Sequence, residues 1–309
     1  MSKQALSVVL LLALATWASA QTIRTAPDAV PNGKGQGNFS QIAPPTVHTG
    51  NGINYHGGPV MGGTPNIYLI WYGNWINGPH ASDSQTSVNL VNSFLGGLTG
   101  SGYEMINSTY GDNSKNVTGT LHDSSSTTVG YTQGTSLSDA KIKTIVQSAI
   151  SSGSLPKDTN GVYFVLTSSD VNETSGFCTQ YCGWHTSASI LSADIKYAFV
   201  GNPDRCTSAC EAQTNSPNGD SGADGMVSII GHESEEAISD PDLNAWYDRT
   251  GQENADKCAW KWGTLLGGSV GNKGYNQTFG GHNWLIQMNW ENARGGGCDD
   301  FLGGPFHTK

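Results

Sequence analysis

Met226-Val-Ser-Ile-Ile-Gly-His-Glu-Ser-Glu-Glu-Ala-Ile-Ser-Asp-Pro241 is the stretch on which the reading of the fold and its chemistry turns. Residues 226–238 read as a helix, with Val227, Ile230 and Ala237 anchoring its inner side. Four residues apart, His232 and Glu236 then face the same way. This is the layout of the H-E-x-x-H metal helix with Glu in place of the second His. The exchange is chemically sound, because zinc accepts carboxylate oxygen at ~2.0–2.2 Å as well as imidazole nitrogen. Glu233, beside His232, is placed as general base on a metal-bound water, whose pKa falls to about 7. Pro241 ends the helix, so Asp240 or Asp242 can return a further ligand from the following loop. His282, in Gly280-Gly-His-Asn, is another candidate. The bland alternative is a solvated acidic face. Against it, clustered carboxylates in an apolar helix are costly unless they meet water or a cation. Zinc fits the His and Glu donors. Calcium is the alternative, since it prefers carboxylates and carbonyls.

Upstream of the helix, residues 67–72 (IYLIWY), bounded by Pro65 and Gly73, are expected to form a buried strand, and residues 161–166 (GVYFVL) a second. Residues 82–95 place Val88, Val91 and Leu95 at helical spacing after Ser82-Asp83. Residues 136–150 open with a cap-like Ser-Leu-Ser-Asp and put Ile142, Ile145, Val146 and Ile150 on one face. Residues 103–132 suit one or two exposed strands, residues 170–225 are rich in cysteine and loops, and residues 285–290 are the clearest late strand. Strands and helices alternating first, with loops later, predict one α+β or three-layer domain: a mixed sheet packed on helices, with a disulfide-stapled, loop-rich C-terminal half.

The chain has 309 residues, a net charge of −10 and only 13% charged residues. The acidic balance argues against nucleic acid or an anionic membrane surface as partner. Lys3, the apolar run 5–15 and Ala18-Ser19-Ala20 have the layout of a signal peptide over residues 1–20, too short an apolar run to span a bilayer. No membrane association is expected after its cleavage. Residues 21–60, rich in Pro, Gly and Asn, read as an extended N-terminal arm, and residues 61–309 as the domain. Asn-X-Ser/Thr sequons at Asn38, Asn107, Asn116, Asn172 and Asn276 are candidate glycan sites in polar, turn-rich surroundings. Cys178, Cys182, Cys206, Cys210, Cys258 and Cys298 read as three disulfides in an oxidising compartment, with the pairing left open.

Other features carry less. Residues 218–225 (NGDSGADG) could bind calcium, but they lack the spacing of an EF-hand loop and read as a turn. Gly-Asp-Ser-Gly within them is similar to a serine-protease nucleophile loop without its partners. Trp71, Trp75, Trp246, Trp260 and Trp262 could stack on sugar rings, although core packing is the commoner use of Trp.

The chain resembles the EXORDIUM family, also called the phosphate-induced protein 1 family. The resemblance runs through Tyr55-His-Gly-Gly-Pro, Ile70-Trp-Tyr-Gly, Phe177-Cys-Thr-Gln-Tyr-Cys-Gly-Trp-His, Val200-Gly-Asn with Cys206 and Cys210, and Pro217-Asn-Gly-Asp-Ser-Gly-Ala-Asp-Gly-Met. Asp240-Pro with Asn244, Cys258, Tyr275-Asn and Cys298 complete it. It implies a secreted, extracellular or cell-wall protein, and no particular reaction. The His232 helix and the order of strands before it are similar to zincin folds, by analogy alone. Two function classes follow: a zinc-dependent peptidase, and a non-catalytic extracellular protein binding wall polysaccharide or a receptor.

Overall fold

In the computed structural model the described residues are 29–36 and 52–307. The signal segment 1–20, most of the arm 21–60 and Asn38 lie outside them.

Apolar runs make the centre of the sheet. β2 (Asn66–Tyr72) and β4 (Gly161–Thr167) pair in parallel, with Tyr68 opposite Tyr163 and Ile70 opposite Val165. Neither strand alternates apolar with polar, because both of its faces are covered. β3 (His122–Val129), mostly exposed Ser, Thr and Asp, adds to the outer side of β2 as an edge. On the other side, β5 (Tyr181–Ile190) and β6 (Ala193–Gly201) form an antiparallel hairpin, and β6 runs parallel to β4. A short β1 (Lys34–Gln36) pairs antiparallel with β5, so the order is β1-β5-β6-β4-β2-β3. The expected arm over residues 21–60 is thus in part an edge strand. Asn54–Tyr55 in turn pairs with Trp246–Tyr247.

Among the described residues, three α-helices longer than one turn accompany the sheet. α1 (Gln85–Leu98) starts two residues later than its predicted cap, where the Ser84 hydroxyl accepts the Ser87 N–H at 3.2 Å. α2 (Asp139–Ser151) is preceded by a two-residue strand at Ser136–Leu137. α3 (Ser221–Ser239) contains the motif helix and is buried along its length, packed against α1, β5 and β6. The Asp220 side chain accepts the Ala223 N–H at 3.0 Å and caps α3, while Asp224 accepts from Asn218. Residues 218–225 therefore begin a helix.

Some sequence expectations need correction. Residues 103–132 hold one exposed strand, β3, as expected, and before it a 3-10 turn (Glu104–Thr109) that was not. The cysteine-rich stretch holds the two longest strands of the sheet. Residues 285–290 are buried but are no single strand: Ile286 N–H donates to Asn276 Oδ1 and Gln287 N–H to Ser228 Oγ, while Met288 and Trp290 donate to the separate loop carbonyls of Lys261 and Asn254. The cysteines pair as Cys178–Cys206, Cys182–Cys210 and Cys258–Cys298. The first two bonds clamp the start of β5 to a helical turn at Thr207–Cys210. Asn107 and Asn276 are not in exposed turns: both are buried, and their amides donate to Glu235 O and to Trp262 O and Ile286 O. A folded chain has no room for a glycan there. Asn116 is exposed and Asn172 half-buried.

Candidate metal centre

The α3 backbone brings His232, Glu233 and Glu236 to one buried place, none more than 2% exposed. Glu236 Oε1 lies 3.2 Å from His232 Nε2, the i,i+4 contact that helix periodicity predicts. The rest of the cluster comes from elsewhere in the chain. His185, on β5, turns its Nε2 to 3.8 Å from Glu236 Oε2 and 3.2 Å from Glu253 Oε1. Asp256, in the loop after α3, sets Oδ1 3.5 Å from His232 Nε2, and its backbone N–H donates to Glu236 Oε1 at 2.9 Å. A side chain at Gly183 would place its Cβ 2.6 Å from Ile229 Cγ2 and 3.0 Å from Glu233 Oε1, so glycine there lets α3 close onto β5.

Two donor sets therefore converge: His232, Glu236 and Asp256, and His185, Glu233 and Glu236. In each set the donor atoms lie within 4.8 Å of one another. Among the described residues, both Glu233 oxygens, Glu236 Oε2 and the Nδ1 atoms of both histidines have no hydrogen-bond partner. A buried carboxylate without a donor is expensive, and a cation is what such an array accommodates.

The electrostatics agree. Burial lifts Glu233 and Glu253 well above the ordinary carboxylate range, and the neighbouring carboxylates add to this at Glu253. Burial opposes the charged form of His232, yet Glu236 and Asp256 outweigh it and hold the imidazole well above 6.5. At His185 burial wins and the pKa is pushed down to about 4. Without a cation, the cluster keeps protons that a metal would displace.

Two expected ligands are elsewhere. Asp240 Oδ1 accepts the N–H groups of Asn244 and Ala245, both at 2.6 Å, and so caps the loop after α3. Asp242 faces Lys196 Nζ at 3.2 Å. Asp256, past the short strand Trp246–Tyr247, occupies the position expected of them. His282 meets Asn218 Oδ1 at 3.2 Å, outside both donor sets. Sequence reading missed His185, Glu253 and Asp256. Only His185 carried a signal, as the last residue of the Phe177–His185 motif. A cleft of about 310 Å³, lined by Asn32, Lys34, Tyr181, Thr250, Gln252 and Asp256 among others, reaches the cluster at Asp256. A larger cleft of about 780 Å³, between His80, Glu173 and Arg205, contains none of these groups.

Fold and site together define an α+β protein whose central helix carries a buried histidine–carboxylate cluster. The family model described as the phosphate-induced protein 1 conserved region matches residues 53–292, which include all six residues of the cluster. The chain belongs to the phosphate-induced protein 1, or EXORDIUM, family. It is similar to Protein EXORDIUM-like 5 of Arabidopsis thaliana, 33% identical over 285 residues that cover 77% of this chain and 75% of that protein. It is likewise similar to Protein EXORDIUM-like 3 of Arabidopsis thaliana, 31% identical over 281 residues covering 78% and 81%. No solved structure matches. Among the described residues no helix is long and apolar enough to cross a membrane.

Proposed function

We propose that the chain is a secreted, zinc-dependent peptidase of the extracellular space or cell wall, with zinc held by His232, Glu236 and Asp256 and Glu233 as general base. The observation that carries this reading is the packing of two imidazoles and four carboxylates against one another, all buried except the half-buried Asp256, with Glu233 left without a hydrogen-bond donor among the described residues. Two imidazoles favour zinc over calcium, which selects oxygen donors. A mixed sheet with antiparallel β5 lying beside α3 supports the zincin-like reading of the fold. A peptide substrate is supported by the likeness of the α3 motif to the H-E-x-x-H helix of metalloproteases. Three disulfides and the signal-like leader support secretion.

The competing reading is a non-catalytic protein that binds wall polysaccharide or a receptor through its tryptophans. Trp71 and Trp75 are 3% exposed and pack edge to face, which leaves them no sugar-stacking surface. Metal analysis of the purified protein separates the two. Bound zinc that falls by at least one equivalent in His232→Ala, and a Glu233→Gln variant that keeps zinc but loses peptide hydrolysis, support the enzyme. A metal-free protein retained on insoluble glucan refutes it.

A further inference from the structure

We propose that the centre holds two divalent cations bridged by the carboxylate of Glu236. This rests on the metal reading above and adds a second ion to it. The geometry divides the donors on either side of one side chain. Glu236 Oε1 faces His232 Nε2 at 3.2 Å, and that nitrogen is 3.5 Å from Asp256 Oδ1. Glu236 Oε2 faces His185 Nε2 at 3.8 Å, and that nitrogen is 3.2 Å from Glu253 Oε1 and 3.3 Å from Oε2. Each side thus has one imidazole, one terminal carboxylate and one oxygen of Glu236. A carboxylate with its two oxygens aimed at two separate imidazoles is arranged as a bridge, and ions so bridged sit ~3.5–4 Å apart.

The donor count points the same way. A single zinc takes about four ligands, and one catalytic ion keeps a position for water. Two imidazoles and four carboxylates exceed that need. Charge is the third argument. Glu233, Glu236, Glu253 and Asp256 can carry four negative charges between them, and the three glutamates are at most 1% exposed. Two divalent ions match that number of carboxylates in full, and one matches half of it. The nearby lysines have their own ion pairs: Lys34 Nζ with Asp139 at 3.1 Å and Lys257 Nζ with Asp248 at 2.8 Å. Glu233 has a donor oxygen within 4.8 Å of the His185 and Glu236 donors, which places it beside the second ion, in reach of a water held there. It keeps the role of base. His185 and Glu236 hold the second ion, and Glu253, 3.2 Å from His185 Nε2, is the carboxylate that closes on it from the far side of that imidazole.

The test is metal stoichiometry of the full-length protein, stripped with chelator and titrated with Zn²⁺ and, separately, with Co²⁺. Two equivalents bind in the wild type, and His185→Ala reduces them to one. To keep the test independent of that variant's folding, the wild-type Co²⁺ titration is read by electron paramagnetic resonance as well. Through the bridge, the second equivalent of Co²⁺ couples to the first and weakens its signal. One equivalent in the wild type overturns the second ion and leaves the single-zinc reading standing. Two equivalents without coupling overturn the bridge. No bound metal overturns both this inference and the function on which it rests.

Discussion

Glu104 offers a sharp test of how this protein tolerates buried acid. It lies in the 3-10 turn before β3, is fully buried, and neither of its oxygens has a hydrogen-bond donor among the described residues. Its neighbour is Glu235, equally buried on α3, and burial lifts both carboxyls, Glu104 to about 8. The unfolded chain releases the Glu104 proton near pH 4.5. A raised folded pKa means that the native state holds the proton longer than the unfolded state does. Stability from this group is therefore intact below about pH 4.5 and declines as pH rises to about 8, by about 1.4 kcal/mol per pH unit. Over the whole window the loss is on the order of 5 kcal/mol. Glu104→Gln keeps the shape of the neutral acid and cannot ionise. Urea unfolding of wild type and variant, in chelator so that the metal centre does not contribute, reads the difference directly. Below pH 4.5 the two should be within about 1 kcal/mol. The variant should then gain on the wild type at each step up to pH 8, with no further gain above. A difference that does not change with pH means that Glu104 titrates alike in both states, and the account of its burial is then wrong. A wild type that gains on the variant as pH rises means that the carboxylate is held charged, by a cation or by donors.

Other perturbations probe the frame and surface. Replacing Cys258 and Cys298 by Ser opens a 40-residue loop and should cost about 4 kcal/mol by the chain-entropy account; because Asp256 lies two residues from Cys258, zinc affinity measured by competition should fall as well. Phe164→Ala, on the buried strand β4, should cost about 3–5 kcal/mol in denaturant unfolding, and a loss under 1 kcal/mol would show that β4 is not the centre of the core. Peptide mapping of protein from a eukaryotic secretory host should find glycans at Asn116, the exposed sequon, and none at Asn107 or Asn276; occupancy of either buried site would contradict the packing around it.

How much was legible in the sequence depends on where each signal lay. β2 and β4 announced themselves because a strand covered on both faces is a continuous apolar run. α3 announced itself because one turn of helix fixes the spacing between His232 and Glu236. β5 and β6 were hidden. The outer half of β5 is Thr-Ser-Ala-Ser, which reads as loop, and the two-residue turn that joins the strands is Leu191-Ser192, both at positive φ, in place of the usual Asn-Gly signal. Losing β5 meant losing His185. Glu253 and Asp256 were hidden for another reason: their approach to α3 depends on how the loop after Pro241 folds back, and no spacing rule describes that path. The late apolar run 285–290 shows the converse. Hydrophobicity there correctly implied burial, but burial does not require a ladder when side chains and scattered loop carbonyls take up the backbone donors.

The central claim is that His232, Glu236 and Asp256 hold a cation. Anomalous diffraction at the zinc edge, from crystals of the protein grown with zinc, tests it without relying on an assay for any substrate. The account predicts a strong peak touching His232 Nε2 and the Glu236 carboxylate, about 2.0–2.2 Å from each. A site with no peak there, and with the imidazole instead bonded directly to the carboxylates, would contradict it.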